Sequence, residues 1–321
     1  ILQKIEEQFI IKEIFEVRWS KKEFGLNLKR FYGDTLPNTL EKIESCGKGK
    51  FLVIIIEDSK SNYGLRKTSI GKQVVNTNVY DAKMIFRKLI GGKYPIHASI
   101  NKKETDHDLT LIFGKNLQDF KNILIKKWDG TIKEFNGDLQ GTNGWKDIKQ
   151  LFYVLNSTTN YIVLRNFENF TKNILEEKHQ DIDLLTDDKW QINYLLNQKI
   201  LKNSNGVLRP YVMINDNKIS FDLRYVGDTY YDEKWSKHML NRKILSENGF
   251  YRPNDEDYFY SLLYHCLIHK LKISSDYKIK LITLGKKIRL KNKLLESLND
   301  SNNAKKILEV YLKKKKYRYT S

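Results

Sequence analysis

The spacing of apolar residues changes several times along this chain, and each change marks an element. Leu2 to Gln8 reads as a short amphipathic helix, and Phe9 to Arg18 as a strand carrying Ile11, Ile14 and Val17. Phe24 to Tyr32 has helical spacing, and Phe51 to Ile56 is a β-branched run suited to a buried strand. Helical spacing returns at Tyr80, Met84, Ile85 and Leu89. It returns again over Lys103 to Phe113, where acidic residues lead and Gly114 ends the helix. Residues 121–147 change character: Trp128-Asp129-Gly130 and Asn136-Gly137-Asp138 are turn signals between short alternating segments.

Beyond that stretch, a helix is expected to begin at Leu151–Leu155, strands at Tyr161–Arg165 and Asp181–Leu185, and a helix over Asp188–Asn197. Val207–Ile214 and Lys218–Tyr225 flank the turn Asn215-Asp216-Asn217-Lys218 and predict an antiparallel pair. From Glu233 onward helices dominate. The expected division is one domain over residues 1–120, a linker or hairpin over 121–150, a second domain over 151–270, and a basic helical tail over 271–321. No internal repeat is visible.

Length and composition fit this picture: 321 residues suit two domains, and 40% hydrophobic with 12% aromatic residues can bury real cores despite 30% charged ones. The longest apolar run falls far short of the roughly 20 residues a bilayer span needs. Cys46 and Cys266 stand far apart, each without a CxxC partner. They define neither a disulfide framework nor a cysteine zinc site, and a reducing cytoplasm is the expected location. The chain opens at Ile1 without a Met, which fits a piece of a longer protein.

The net charge of +18 points to phosphate-bearing partners. From Lys270 to Ser321, 16 Lys and Arg face 4 acids, a net of +12, so most of the excess lies in the tail. Lys313 to Lys316, with Tyr317, Arg318 and Tyr319, reads either as a grip on phosphates, those of nucleic acid or of an anionic surface such as the cytoplasmic face of a membrane, or as a solvated end.

The most chemically informative stretch is His179-Gln180-Asp181-Ile182-Asp183-Leu184-Leu185. On a strand, Asp181 and Asp183 point to one face while Ile182 and Leu184 enter the core. Adjacent carboxylates repel, and a Mg²⁺ ion between them removes that cost. Asp222, in Phe221-Asp222-Leu223-Arg224, is placed to supply a third acid from a neighbouring strand. The alternative reading of the pair is a solvated polar face. Downstream, Gly227 allows a sharp turn, and the aromatic residues around Tyr230 and Tyr231 suit either stacking on a base or sugar, or a packed turn. His265 and His269 share a helix face at i, i+4, a spacing that suits zinc or, without a third ligand, buried hydrogen-bonded histidines.

In this order of elements, residues 151 to about 270 resemble the nucleotidyltransferase superfamily of the polymerase-β type, whose signature is a DxD strand with a third carboxylate on a later strand. The resemblance implies Mg²⁺-dependent phosphoryl chemistry. Asp181, Asp183 and Asp222 would be the catalytic and metal-binding acids. In place of the Gly-Ser pair usual ahead of DxD, this chain has Leu164-Arg165-Asn166-Phe167. Arg165 then becomes the candidate phosphate ligand, with Arg224 and Tyr230 beside the substrate. That departure is similar to the phosphocholine and polyol-phosphate transferases of surface polysaccharides. It implies a nucleotide or nucleotide-activated substrate and a glycan acceptor in capsule synthesis.

A second resemblance lies at the front. His97-Ala98-Ser99-Ile100-Asn101, followed by Glu104 and the helix Asp108 to Phe113, is similar to the nucleoside diphosphate kinase signature, with Arg66, Thr68, Gly71 and Arg87 at expected phosphate contacts. Tyr94 stands where that family has asparagine, Gly91-Gly92 replaces part of its loop, and its lysine-led first strand would precede Ile1. His97, Arg66 and Arg87 are therefore candidates for nucleotide binding or phosphohistidine chemistry, and the alternative is a structural histidine. The resulting expectation is an α+β protein, a ferredoxin-like kinase-like domain followed by a nucleotidyltransferase-like domain. Its expected work is Mg²⁺-dependent nucleotidyl or phospho-alcohol transfer. The rivals are a His97-based phosphotransferase and a non-catalytic pair of domains binding nucleotide, nucleic acid or a partner chain.

Overall fold

The computed structural model describes residues 1–33, 39–46, 49–69, 71–91, 95–122, 125–168, 170, 181–202 and 208–320. Gly92, Tyr94, His179, Gln180 and Val207, which entered the sequence reading, lie outside them. Helices and small sheets are mixed along the whole chain, which folds as two compact units: residues 1–146 with Asn193–Asn197, and residues 147–192 with 198–321.

The first unit opens with α1 (Leu2–Glu6), β1 (Ile10–Arg18), α2 (Phe24–Tyr32), α3 (Thr39–Cys46) and β2 (Lys50–Glu57). The hairpin β3 (Tyr63–Thr68) and β4 (Gly71–Asn76) leads into α4 (Thr77–Ile90), α5 (Lys102–Phe113), α6 (Leu117–Phe120) and β5 (Ile132–Asn136). The sheet runs β2-β1-β5, with β1 antiparallel to β2 and parallel to β5. A register shift between Ile11 and Glu13 turns Ile11 and Ile14, three residues apart, into one core with Ile5, Phe9, Ala82 and Phe86. Ile55, Leu109 and Phe120 form a second cluster. The stretch expected as a linker over 121–150 thus supplies β5 to this sheet.

Polar caps set the helix starts. Asn76 and Asn101 accept hydrogen bonds from the N–H groups of Val79 and Glu104, and Gly114 closes α5 in the left-handed region at φ 66°. Arg30, 2% exposed, organises the inner loop through polar acceptors. Its guanidinium donates to the carbonyls of Gln140, Tyr194 and Leu195 and to the Thr142 hydroxyl at 2.7–3.0 Å. Asn197 donates to the Gly141 and Thr142 carbonyls. These bonds are the physical reason residues 193–197 belong with the first unit.

The second unit contains α7 (Ile148–Thr158), β6 (Tyr161–Val163), β7 (Asp181–Thr186), α8 (Lys189–Leu196, its last turn in the first unit), β8 (Lys199–Lys202), β9 (Leu208–Ile214) and β10 (Asn217–Tyr225). They make a five-stranded sheet in the order β6-β7-β10-β9-β8. The predicted β9–β10 hairpin is present, and β10 returns parallel to β7. There follow α9 (Glu233–Asn241), the short pair β11 (Ile244–Leu245) and β12 (Tyr251–Arg252), α10 (Asp255–Tyr264) and a π-helical turn over His265–His269. The end of the chain is helical: α11 (Ser275–Lys287), α12 (Asn292–Glu296), a 3₁₀ turn (Ser297–Asn299) and α13 (Ser301–Lys315).

The tail packs into this unit's core. Leu281, Leu298, Ala304, Leu308, Tyr311, Leu312 and Tyr317 are all buried. Tyr311 stacks on Tyr260 at 3.5 Å between ring centroids, and Tyr317 stacks on the fully buried Trp235 at 5.5 Å. Beneath them Asp257 accepts from Arg242, Tyr311, Trp235 and Asn254. Tyr317, read from sequence beside the basic run, is therefore a core aromatic. Among the described residues no helix is long and apolar enough to cross a membrane.

Candidate functional site

The three predicted carboxylates meet on the sheet of the second unit. In the β7–β10 ladder Asp183 is the register partner of Asp222, and Asp181 that of Ser220. Register partners share a face, so Asp181, Asp183, Asp222 and Arg224 project to one side while Ile182, Leu184, Ile219 and Phe221 are buried. Asp181 is exposed, Asp222 partly exposed, and Asp183 only 3% exposed.

Asp183 is covered by Arg165. The chain leaves β6 beside β7, where the Leu164 N–H donates to the Asp183 carbonyl, and then turns at Asn166, whose left-handed φ of 58° asparagine tolerates. This turn presents Arg165, itself 5% exposed, to the site, where Nη2 donates to Asp183 Oδ1 at 2.5 Å. Arg224 Nη2 donates to Asp222 Oδ2 at 3.0 Å. Among the described residues two donors here are buried without an acceptor, Arg165 Nη1 and Arg224 Nε.

Burial pushes the Asp183 carboxyl up to about 6; Arg165 opposes the rise, and the negative charges of Asp181 and Asp222 add to it. Burial works against the Arg165 charge, but Asp183 outweighs it and holds the guanidinium firmly protonated. At neutral pH both partners are ionised.

Tyr230 closes the aromatic side of the site. The Tyr225–Tyr230 turn is fastened by Asp228, which accepts from the N–H groups of Tyr225 and Tyr230, and Gly227 takes a φ of 91° within it. The Tyr230 ring lies 4.2 Å from the Arg224 guanidinium and 5.8 Å from that of Arg165. Behind it, burial together with the charge of Arg165 pushes His265 down to about 3, and its neutral ring shares a hydrogen bond between Nδ1 and the Tyr230 hydroxyl, 2.7 Å away. His269 stacks on Tyr230 at 3.9 Å and lies 3.2 Å from its carbonyl. These two are hydrogen-bonded histidines, as the reading without a third ligand expected, and the ring they anchor is what the i, i+4 spacing did not disclose. The π-helical turn that aims both at Tyr230 leaves no pattern in the sequence. Cys266, buried and pushed up to about 12 chiefly by desolvation, is held as a thiol.

Among the described residues no three His, Cys, Asp or Glu side chains form a group able to hold a metal ion. The donor chemistry at β7 and β10 is nevertheless that of a hard divalent cation: oxygen ligands, with carboxylates on the register partners Asp183 and Asp222. Arg165 and Arg224 each engage one of those carboxylates.

In the first unit His97 is held in place. Its Nε2 lies 2.9 Å from Asp108 Oδ2, and its ring packs edge-on against Phe31 and Tyr32. Asp108 also accepts from Ser99 at 2.6 Å and faces His107 Nδ1 at 3.0 Å. Burial disfavours its charge, but His97 and His107 outweigh this and keep the carboxyl well below the usual range. Read from sequence only as the start of a helix, Asp108 is the hub of this cluster. The predicted phosphate-binding arginines are engaged elsewhere: Arg66 makes two hydrogen bonds to Asp81, and Arg87 donates from Nε and Nη2 to the Ile96 carbonyl. Compared with protein-family models, with curated proteins and with solved structures, the chain matches none.

Proposed function

We propose that the second unit is a Mg²⁺-dependent transferase of nucleotidyl or phospho-alcohol groups, with a nucleotidyltransferase-like fold. The supporting observation is the pairing of Asp183 with Asp222 on adjacent parallel strands, with Asp181 on the same face and two arginines alongside. Two carboxylates suffice for Mg²⁺ when substrate phosphates and water complete its shell. Asp183 and Asp222 would hold the ion, with Asp181 at the exposed rim. The bound ion would supply charge neutralisation at the reacting phosphoryl group. Arg165 and Arg224 bring donors for phosphoryl oxygens, and Tyr230 orients both guanidiniums.

The proposed substrate is a nucleotide or nucleotide-activated alcohol. A glycan acceptor in surface-polysaccharide synthesis, work in the cytoplasm or at the inner face of a membrane, and contact of the basic tail with an anionic surface belong to the same proposal. For the first unit, a kinase-like fold is proposed with His97 as a structural residue, because its ring serves Asp108 and the nearby arginines serve other acceptors.

The test is calorimetric titration of nucleoside triphosphates with and without Mg²⁺ into the wild-type protein and into Asp181→Asn/Asp183→Asn. Mg²⁺-dependent binding that the double variant loses while keeping its circular dichroism supports the reading. Mg²⁺-dependent binding or transfer that survives in the folded double variant overturns it.

A further inference from the structure

We propose that Arg165 is an exchangeable internal counter-ion: it neutralises Asp183 while the site lacks a divalent cation, and moves to the phosphoryl group of the substrate once one is bound. This rests on the reading of the site as a cation-dependent phosphoryl centre.

Three observations carry it. First, the fork of Arg165 is half used: Nη2 is on Asp183, whereas Nη1 is buried with no acceptor among the described residues. A buried donor without a partner is unfavourable, so this arrangement gains from an incoming oxygen acceptor. Arg224 repeats the pattern, with Nη2 on Asp222 and a buried, unpartnered Nε.

Second, both guanidiniums lie near the face of Tyr230, which is fixed by its hydroxyl on His265 and by the stacked His269. That face keeps the arginines in the site when a carboxylate lets go. Third, the net charge of the site changes sign when a divalent cation binds. Asp181, Asp183 and Asp222 carry three negative charges against two positive ones from Arg165 and Arg224. A divalent cation turns that net of one negative charge into one positive charge, an excess that draws in a phosphoryl oxyanion. The ligand class is therefore a phosphoryl or pyrophosphoryl oxyanion that binds after the cation.

The experiment uses Mn²⁺ alone, titrated into the full chain and followed by the electron paramagnetic resonance of free Mn²⁺. Wild type, Asp183→Asn and Arg165→Gln are compared. Wild type is expected to bind Mn²⁺, Asp183→Asn to lose it, and Arg165→Gln to bind about tenfold more tightly because a competing buried cation is gone. Arg165→Gln should also lose the gain in sulfate affinity that Mn²⁺ gives the wild type. If wild type binds Mn²⁺ through Asp183 but Arg165→Gln binds it equally or more weakly, the counter-ion role falls and the functional reading stands. If neither wild type nor Arg165→Gln binds Mn²⁺ at millimolar concentration, both fall. Should circular dichroism show Arg165→Gln unfolded, Arg165→Met, which also removes the charge, carries the same comparison. Tighter Mn²⁺ binding than wild type supports the role, and equal or weaker binding overturns it.

Discussion

Asp183 on β7 and Asp222 on β10 are direct register neighbours in a parallel ladder, and each is held by an arginine, Arg165 and Arg224. Two like charges side by side on one sheet face are unfavourable unless a cation stands between or beside them. Here guanidiniums fill that role.

This relationship fixes a pH dependence. Asp183 rises from its ordinary 3.8 to about 6 in the folded protein. A carboxyl raised on folding favours the folded state below about pH 4 and loses that contribution as pH climbs through about 6. In EDTA, wild type should therefore lose on the order of 3 kcal/mol between pH 4 and pH 7 relative to Asp183→Asn, read from urea midpoints. Parallel pH profiles for the two proteins would contradict the assignment.

Asp257 is expected to be the most sensitive polar position under the tail. It is wholly buried and accepts from Arg242, Tyr311, Trp235 and Asn254. Asp257→Ala strands Arg242 and leaves several buried donors unpaired, a loss of about 3–5 kcal/mol. Thermal unfolding measures it. A shift no larger than that of an exposed substitution such as Glu247→Ala would show that the network carries no stability.

Arg30 makes the corresponding prediction in the first unit. Its acceptors are three carbonyls and one hydroxyl, and Arg30→Met removes four hydrogen bonds at once. Leaving those buried acceptors dry costs about 3 kcal/mol or more. Amide exchange in residues 139–145 and 193–197 should accelerate together, because Arg30 joins these segments. Acceleration in one segment alone would refute the shared anchor.

No phosphohistidine is expected at His97. Its Nε2 is engaged by Asp108, and Arg66 and Arg87 serve Asp81 and the Ile96 carbonyl. Incubation with radiolabelled ATP and Mg²⁺ should leave the protein unlabelled. An acid-labile, alkali-stable label lost in His97→Ala would overturn this and give the first unit a catalytic role.

What the sequence determined by itself was local. Period-2 and period-3.6 spacing placed Phe24–Tyr32 and the β9–β10 hairpin within a residue or two, because each depends on neighbours and on turn residues such as Asn215 and Asp216. The DxD pair was legible for the same reason: alternation along a strand is a local rule. Only the tertiary structure decided the parallel return of β10 beside β7, which makes Asp222 the neighbour of Asp183. It alone decided that Arg165 covers that carboxylate, that β5 joins the first sheet, and that Tyr317 enters the core on Trp235. Those facts depend on contacts between residues far apart in the chain, where burial and pairing across many residues outweigh local charge pattern. A run of lysines looks the same from sequence whether the tyrosine after it faces water or an indole ring.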